Sequence, residues 1–223
     1  MNLVAVMGSP HGMQGNTGKL LGSFIQAAEA GGAQTTVFCL GDLDIAPCRG
    51  CDVCHRVGSC AIKDDFQTVL QAMLEADGIV LASPNYIFSV SAQMKALFDR
   101  CCGAVHLMAL RGKYAAALVT SGGGGCDEVE QYILRFLRMT GCWTVGSTGA
   151  EAFRLADPQA AEQTVQAAAD LGRELLEAAD AKKQYADQEA ELAAMAGFME
   201  QLVTQQREHW TYEYEAWQAR TAD

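Results

Sequence analysis

Gly8-Ser9-Pro10-His11-Gly12-Met13-Gln14-Gly15-Asn16-Thr17 is the stretch whose reading decides the fold. It follows a short apolar run, Asn2-Leu3-Val4-Ala5-Val6-Met7, and leads into a helical pattern over residues 17–30. A loop between a strand and a helix N-terminus is an anion site, because backbone N–H groups point outward and the helix dipole adds partial positive charge. Glycines let the backbone close around a phosphate, and Ser9, Asn16 and Thr17 add side-chain donors. Spacing excludes two rival loops. A Walker A pattern needs glycine where Met13 stands and a hydroxyl residue where Leu20 follows Gly18-Lys19. A dinucleotide fingerprint needs Gly-x-Gly-x-x-Gly, whereas the spacing is Gly8-x3-Gly12-x2-Gly15. The longer loop, rich in hydroxyl and amide groups, suits a terminal monophosphate.

Outward from this loop, strand-like and helical patterns alternate. Apolar runs at 2–7, 35–40, 78–82, 114–120 and 142–147 read as buried parallel strands. Helical patterns fill 17–30, the stretch from Asp64-Asp65 to Glu75, then 91–102, 126–140 and 158–179. Asp157-Pro158 supplies a cap and a first-turn proline to the last of these. Five strands alternating with five helices predict an α/β three-layer sandwich around a five-stranded parallel sheet. Right-handed crossovers leave either the dinucleotide-binding or the flavodoxin strand order. The expected division is a nucleotide-binding domain over 1–180 and a helical C-terminal extension over 181–223. The aromatic end of that extension, with Trp210, Tyr212, Tyr214 and Trp217, is expected to pack on its own domain or on a second subunit.

Composition narrows the partners. A net charge of −11 argues against nucleic acid and anionic membranes, which attract clustered Lys and Arg. Residues 170–223 hold 12 acidic and five basic side chains, which a solvated helical face explains. No apolar run is long enough for a membrane helix, and the first residues lack the pattern of a signal peptide, so a cytoplasmic location is expected.

Two further strand ends run into unusual loops. The third gives Ala82-Ser83-Pro84-Asn85-Tyr86-Ile87-Phe88, with flat aromatic faces. The fourth gives Thr120-Ser121 and four consecutive glycines, 122–125, which are entropically costly unless a ligand approaches the backbone or the loop moves. Ligands in open α/β sheets lie beyond the carboxyl ends of the strands. Together, Gly8-Ser9-Pro10…Gly15-Asn16-Thr17 resembles the FMN-phosphate loop of the NAD(P)H-dependent FMN reductases. Ser83-Pro84-Asn85-Tyr86, then Ser91-Ala92-Gln93-Met94-Lys95 and Phe98-Asp99-Arg100, resembles their second signature. The resemblance covers about residues 2–180. It implies a flavodoxin-like fold and FMN. It also implies phosphate contacts from Ser9, His11, Gly15, Asn16 and Thr17, and ring contacts from Pro84, Asn85, Tyr86, Phe88, Ser121 and Gly122. No side chain is assigned a catalytic role, since FMN carries the chemistry.

The chain has nine cysteines, and four of them fall at Cys48, Cys51, Cys54 and Cys60, spaced C-x2-C-x2-C-x5-C. Such thiolates can surround a [4Fe–4S] cube. The spacing resembles the iron–sulfur flavoprotein branch of the same group, which implies these four as metal ligands. Bare thiols, a redox disulfide, or zinc remain open on the residues alone. Cys39, Cys101, Cys102, Cys126 and Cys142 read as small buried apolar residues. His55, His106 and His209 show no metal-like spacing with a second histidine and read as surface or core residues.

The expected function is an FMN-dependent oxidoreductase of the NAD(P)H-dependent FMN reductase type, with a cluster exchanging electrons with FMN. NAD(P)H or a ferredoxin-type carrier would be the donor, and the resemblance implies a homodimer or homotetramer. Two alternatives stand beside it: a flavodoxin-type electron carrier without NAD(P)H turnover, and a redox-sensing interaction protein built on the cysteine loop.

Overall fold

Hydrophobic side chains on alternate residues of one central strand point to opposite faces, so a strand apolar at every position must be covered on both sides. β3 (Gly78–Pro84) and β4 (Tyr114–Ser121) are buried at every residue in the computed structural model, which describes residues 1–221. They stand at the centre of a five-stranded, all-parallel sheet. β1 (Asn2–Met7) and β2 (Gln34–Cys39) lie on one flank, and β5 (Trp143–Glu151) lies on the other. The order β2-β1-β3-β4-β5 is the flavodoxin order. β5 runs further than its apolar stretch, because Thr148 to Glu151 continue to pair with Leu118 to Ser121 of β4.

Helices cover both faces. On one face α1 (Asn16–Ala30) and α8 (Pro158–Asp180) place Leu20, Phe24, Leu171 and Leu175 against Leu3, Ala5, Val80, Ala116 and Leu118. The two helices touch so closely that a Cβ on Gly172 would stand 2.4 Å from Phe24 O. On the other face α3 (Phe66–Glu75), α4 (Ala92–Arg100) and α6 (Cys126–Met139) place Phe66, Met73, Met94, Leu97, Ile133 and Leu137 against Val4, Val6, Ile79 and Leu81. The periodic stretch 91–102 is not one helix. It turns at Cys101 into the short α5 (Cys102–His106). Two more short helices, α2 (Val53–Val57) and α7 (Ala152–Ala156), lie in connecting segments.

After α8 come α9 (Ala186–Gln205) and α10 (Thr211–Thr221). They build a third apolar cluster with Met108, Met199, Val203 and Trp217 on the chain's own domain. Trp217 Nε1 donates to His106 O at 3.1 Å and Arg220 Nη1 to Leu107 O at 2.5 Å. Of the two expected packings of the aromatic tail, this is the intramolecular one. No helix among the described residues is long and apolar enough to cross a membrane.

Candidate functional site

β1, β3 and β4 are neighbours, so the loops leaving their carboxyl ends must meet. Gly8 N donates to Ala82 O at 2.7 Å, and Gly8 O accepts from Ser91 Oγ at 2.6 Å. Ser91 also caps α4, accepting from Met94 N. Asn85 N donates to Thr120 O at 2.6 Å, and the Thr17 and Thr120 hydroxyls stand 2.6 Å apart. One edge of the sheet thus carries all the residues assigned to FMN by sequence.

Within the first loop Ser9 is buried and its Oγ accepts from His11 N at 3.2 Å, while His11 is exposed. Gly15 precedes α1 and no side chain caps that helix, so its first N–H groups face the loop. Asn16 opens the helix half-buried. Thr17 is buried against Thr120. A hydroxyl can accept one bond and still donate another, so the pairing leaves one of the two protons for a ligand. A Cβ on Gly18 would overlap Met13 O at 2.2 Å, so the loop folds over the first helical turn only with glycine there.

The second loop projects. Pro84 is buried at the end of β3, but Tyr86 and Phe88 are 45% and 72% exposed, with Ile87 at 94% between them. Ile87 and Phe88 both have positive φ, 53° and 58°, in a turn closed by Ser89 N donating to Tyr86 O at 3.3 Å. The left-handed conformation costs a non-glycine residue about 1–2 kcal/mol. Strain of this kind persists where the surroundings hold it and concentrates at ligand sites. The third loop is tied to the second, since Asn85 Nδ2 donates to Gly124 O at 2.9 Å and Gly125 O at 3.0 Å. Ser121 is buried and its Oγ accepts from Gly124 N at 3.0 Å. A Cβ on Gly122, Gly123 or Gly124 would meet nothing within 4 Å.

These residues fit FMN. The uncapped helix start suits its phosphate. Asn85 Oδ1 is buried without a partner, an acceptor left for a ring N–H once Nδ2 is committed to the glycines. Cys126, beside the glycine loop, is buried, and burial pushes its thiol up, so it is not an activated nucleophile.

The cysteine loop leaves the same edge. After β2 a turn at Leu40–Asp42 brings Gly41 against the first loop, where its Cβ would stand 3.3 Å from Pro10 Cα. The base of the loop is held by polar bonds. Asp44 N donates to Asp65 Oδ2 at 2.8 Å and Ala46 N to Asp64 Oδ2 at 3.0 Å. Arg100, at the end of α4, makes a two-pronged pair with Asp64, at 2.7 and 2.9 Å, and also donates to Ala46 O and Ile62 O. Its guanidinium lies 4.4 Å over the Phe66 ring. Hydrogen bonds from Arg100 hold the Asp64 carboxyl down at about 2. Cys48, Cys51, Cys54 and Cys60 line one cavity of about 110 Å³, with Arg100 and Cys102 in its wall. All are free thiols, Cys48 and Cys51 exposed. Four thiols around one cavity fit a cluster's donor set.

A second group of side chains adjoins this cavity, two of its members, His55 and Cys102, also lining it, and the sequence reading missed it. His55 and His106, expected as unrelated surface or core residues, lie with ring centroids 5.0 Å apart. Trp210 lies 4.6 Å from each ring. Glu213, fully buried, joins them, with Oε1 2.6 Å from His55 Nδ1 and Oε2 3.0 Å from His106 Nδ1. Cys102 is only half-buried, and its Sγ is 3.6 Å from His106 Nε2. Hydrogen bonds from His106 and His55 pull the Cys102 thiol down to about 6. Burial alone would lift Glu213, but the two imidazoles outweigh it and hold the carboxyl below its usual range. One signal was present in the sequence: Cys102 and His106 are four residues apart on a helix and so share a face.

The family model for NADPH-dependent FMN reductase matches residues 1–153. An iron-sulfur flavoprotein of Archaeoglobus fulgidus is 32% identical over 183 residues, 82% of each chain. One of Methanocaldococcus jannaschii is 37% identical over 148 residues, 66% of this chain and 76% of its own. Among solved structures, an NADH:FMN oxidoreductase in its apo form superposes with a TM-score of 0.57 at 26% identity, covering 77% of this chain and 88% of that one. A WrbA-like flavodoxin from Agrobacterium tumefaciens gives 0.56 at 17% identity over 82% and 99%, which bears on the fold alone. With the flavodoxin strand order and a glycine-rich edge suited to a flavin phosphate, these matches place the chain in the NADPH-dependent FMN reductase family, as a flavin-dependent oxidoreductase.

Proposed function

We propose that this flavin oxidoreductase also carries a [4Fe–4S] cluster on Cys48, Cys51, Cys54 and Cys60, and that electrons pass between it and FMN. The observation that carries the reading is that all four thiols border one cavity whose wall includes the end of α4. The start of the same helix, at Ser91, touches the phosphate loop through Gly8 O. At about 1.5 Å per residue, α4 separates the two places by roughly 13 Å. The iron-sulfur flavoprotein names of the relatives support the same reading.

Ser9, Gly15, Asn16 and Thr17 would hold the FMN phosphate, with His11 at its exposed side. Pro84, Asn85, Tyr86, Phe88, Ser121 and Gly122 would border the ring. When bound, FMN takes up electrons in pairs or singly, and a cluster carries them one at a time. The chain's own residues position, exclude water and leave an open face. The exposed turn at Tyr86 to Phe88 is where a flat donor such as a nicotinamide would stack, and a ferredoxin-type carrier is the other donor class.

Anaerobic purification, a visible spectrum, and iron and acid-labile sulfide assays on the same sample test this reading. Flavin bands with about four iron per chain are the expected result. Flavin bands without iron would leave a flavin reductase with free thiols and remove the four cysteine ligands. Failure to bind added FMN would overturn the assignment of the glycine-rich edge.

A further inference from the structure

Glu213 presents a question of chemistry. A carboxylate with no exposed surface is costly unless it is paired, and this one is spent entirely on the Nδ1 atoms of two histidines. An ionised carboxylate only accepts hydrogen bonds, so both Nδ1 atoms carry protons. Both Nε2 atoms are thereby aimed away from Glu213, and one ring nitrogen of each histidine lies with Cys102 Sγ in a group whose members are all within 4.8 Å of one another. Histidines that ligate a metal almost always donate the other ring N–H to a carboxylate or carbonyl, which fixes tautomer and ring orientation. Here one carboxylate does this for two rings.

We propose that His55 Nε2, His106 Nε2 and Cys102 Sγ bind one divalent ion of the zinc class, at a site that adjoins the four-cysteine cavity, which His55 and Cys102 also line, but uses a different donor set. Distances favour it. Zinc bonds of about 2.3 Å to sulfur and about 2.0–2.1 Å to nitrogen, in a tetrahedron, set sulfur and nitrogen roughly 3.5 Å apart. Cys102 Sγ and His106 Nε2 are 3.6 Å apart. Two imidazoles and a thiolate form a donor set of borderline softness, which suits zinc rather than a hard cation. The fourth position falls to water or to Asp52, whose Oδ1 is 3.8 Å from His55 Nε2. Cys54 Sγ is also 3.8 Å from that nitrogen but belongs to the loop's own donor set. A largely apolar cavity of about 480 Å³, lined in part by Cys102, His106, Tyr132 and Met199, borders the site. Trp210 covers both rings from the opposite element and is itself held by the tail. The ion would therefore join three separate segments, α2, α5 and the tail that supplies Glu213. Binding displaces protons that the ring nitrogens and the thiol otherwise hold.

The test uses full-length protein in which Cys48, Cys51 and Cys60 are replaced by serine, titrated with Co²⁺ without oxygen. The expected result is one equivalent bound, with a thiolate-to-cobalt charge-transfer band and the strong visible bands of tetrahedral cobalt. Adding Cys102→Ser should abolish the charge-transfer band, and Glu213→Gln should weaken binding by about 10–100-fold. No such band, or a band that survives Cys102→Ser, overturns the proposal. Circular dichroism checks folding of each variant. A second measurement needs no variant: zinc-edge X-ray absorption on zinc-loaded wild-type protein. Two nitrogens and one sulfur around zinc support the site, whereas a shell of sulfur alone assigns the ion to the cysteine loop and removes it. Because neither measurement involves flavin or iron, failure here leaves the proposed cluster and FMN untouched.

Discussion

The flavin edge and the cysteine–histidine region sit at opposite ends of α4 and are built by different means. At the edge the backbone does the work. Strand ends present amides, glycines open space, and the side chains that matter are neutral hydroxyls and amides such as Ser9, Thr17, Thr120 and Asn85. At the other end charged side chains do it. Asp64 with Arg100, and Glu213 with His55 and His106, are buried pairs and triads. Buried charges are stable only while every partner is present, whereas a backbone cradle tolerates the loss of single side chains. The charged region should therefore be the fragile one.

The largest test of that contrast is Arg100→Ala. It strands a carboxylate whose side chain is 3% exposed and releases Ala46 O and Ile62 O. Denaturant unfolding should show a loss of about 3–5 kcal/mol, and a loss comparable to that of an exposed pair would break the comparison. Next comes acid. The Asp64 carboxyl, ordinarily near 3.8, is held at about 2 in the folded chain. Its contribution, about 2 kcal/mol, is present above the ordinary value and fades as pH falls through 2. Unfolding free energies measured down the acid limb should show that step in wild-type protein and not in Arg100→Ala.

Smaller effects are expected at the flavin edge. Asn85→Ala removes the bonds to Gly124 O and Gly125 O, and FMN affinity should fall by about tenfold, read by fluorescence titration, with little change in stability. Gly125→Ala places a Cβ at φ +71°, 3.0 Å from Asn85 Nδ2 and from the Phe88 ring. It should cost about 1 kcal/mol in a thermal or chemical melt. Lys95→Ala, on α4 between the two regions, breaks only an exposed pair with Asp99. A change within about 0.5 kcal/mol is expected, and a larger one would show that α4 itself couples the two ends.

The edge was legible and the charged region was not. Parallel strands covered on both faces read as continuous apolar runs, so Gly78–Pro84 and Tyr114–Ser121 appear in the sequence nearly at their observed bounds. The Gly8 to Thr17 loop is contiguous, and its glycines and hydroxyls state the chemistry locally. The positive φ of Ile87 and Phe88 was not readable, since neither residue favours that conformation. Nor was the partnership of Thr17 with Thr120, which are 103 positions apart.

By itself the sequence determined the alternation of strands and helices, the phosphate-type loop and the crowding of four cysteines into residues 48–60, because each is a property of neighbouring residues. Only the tertiary structure decided that Arg100 ties down the cysteine loop, that the aromatic tail folds onto its own domain, and that Glu213 reaches His55 across 158 positions and His106 across 107. A carboxylate and two imidazoles find each other through burial and charge pairing, which act at short range in space and leave no period or spacing along the chain.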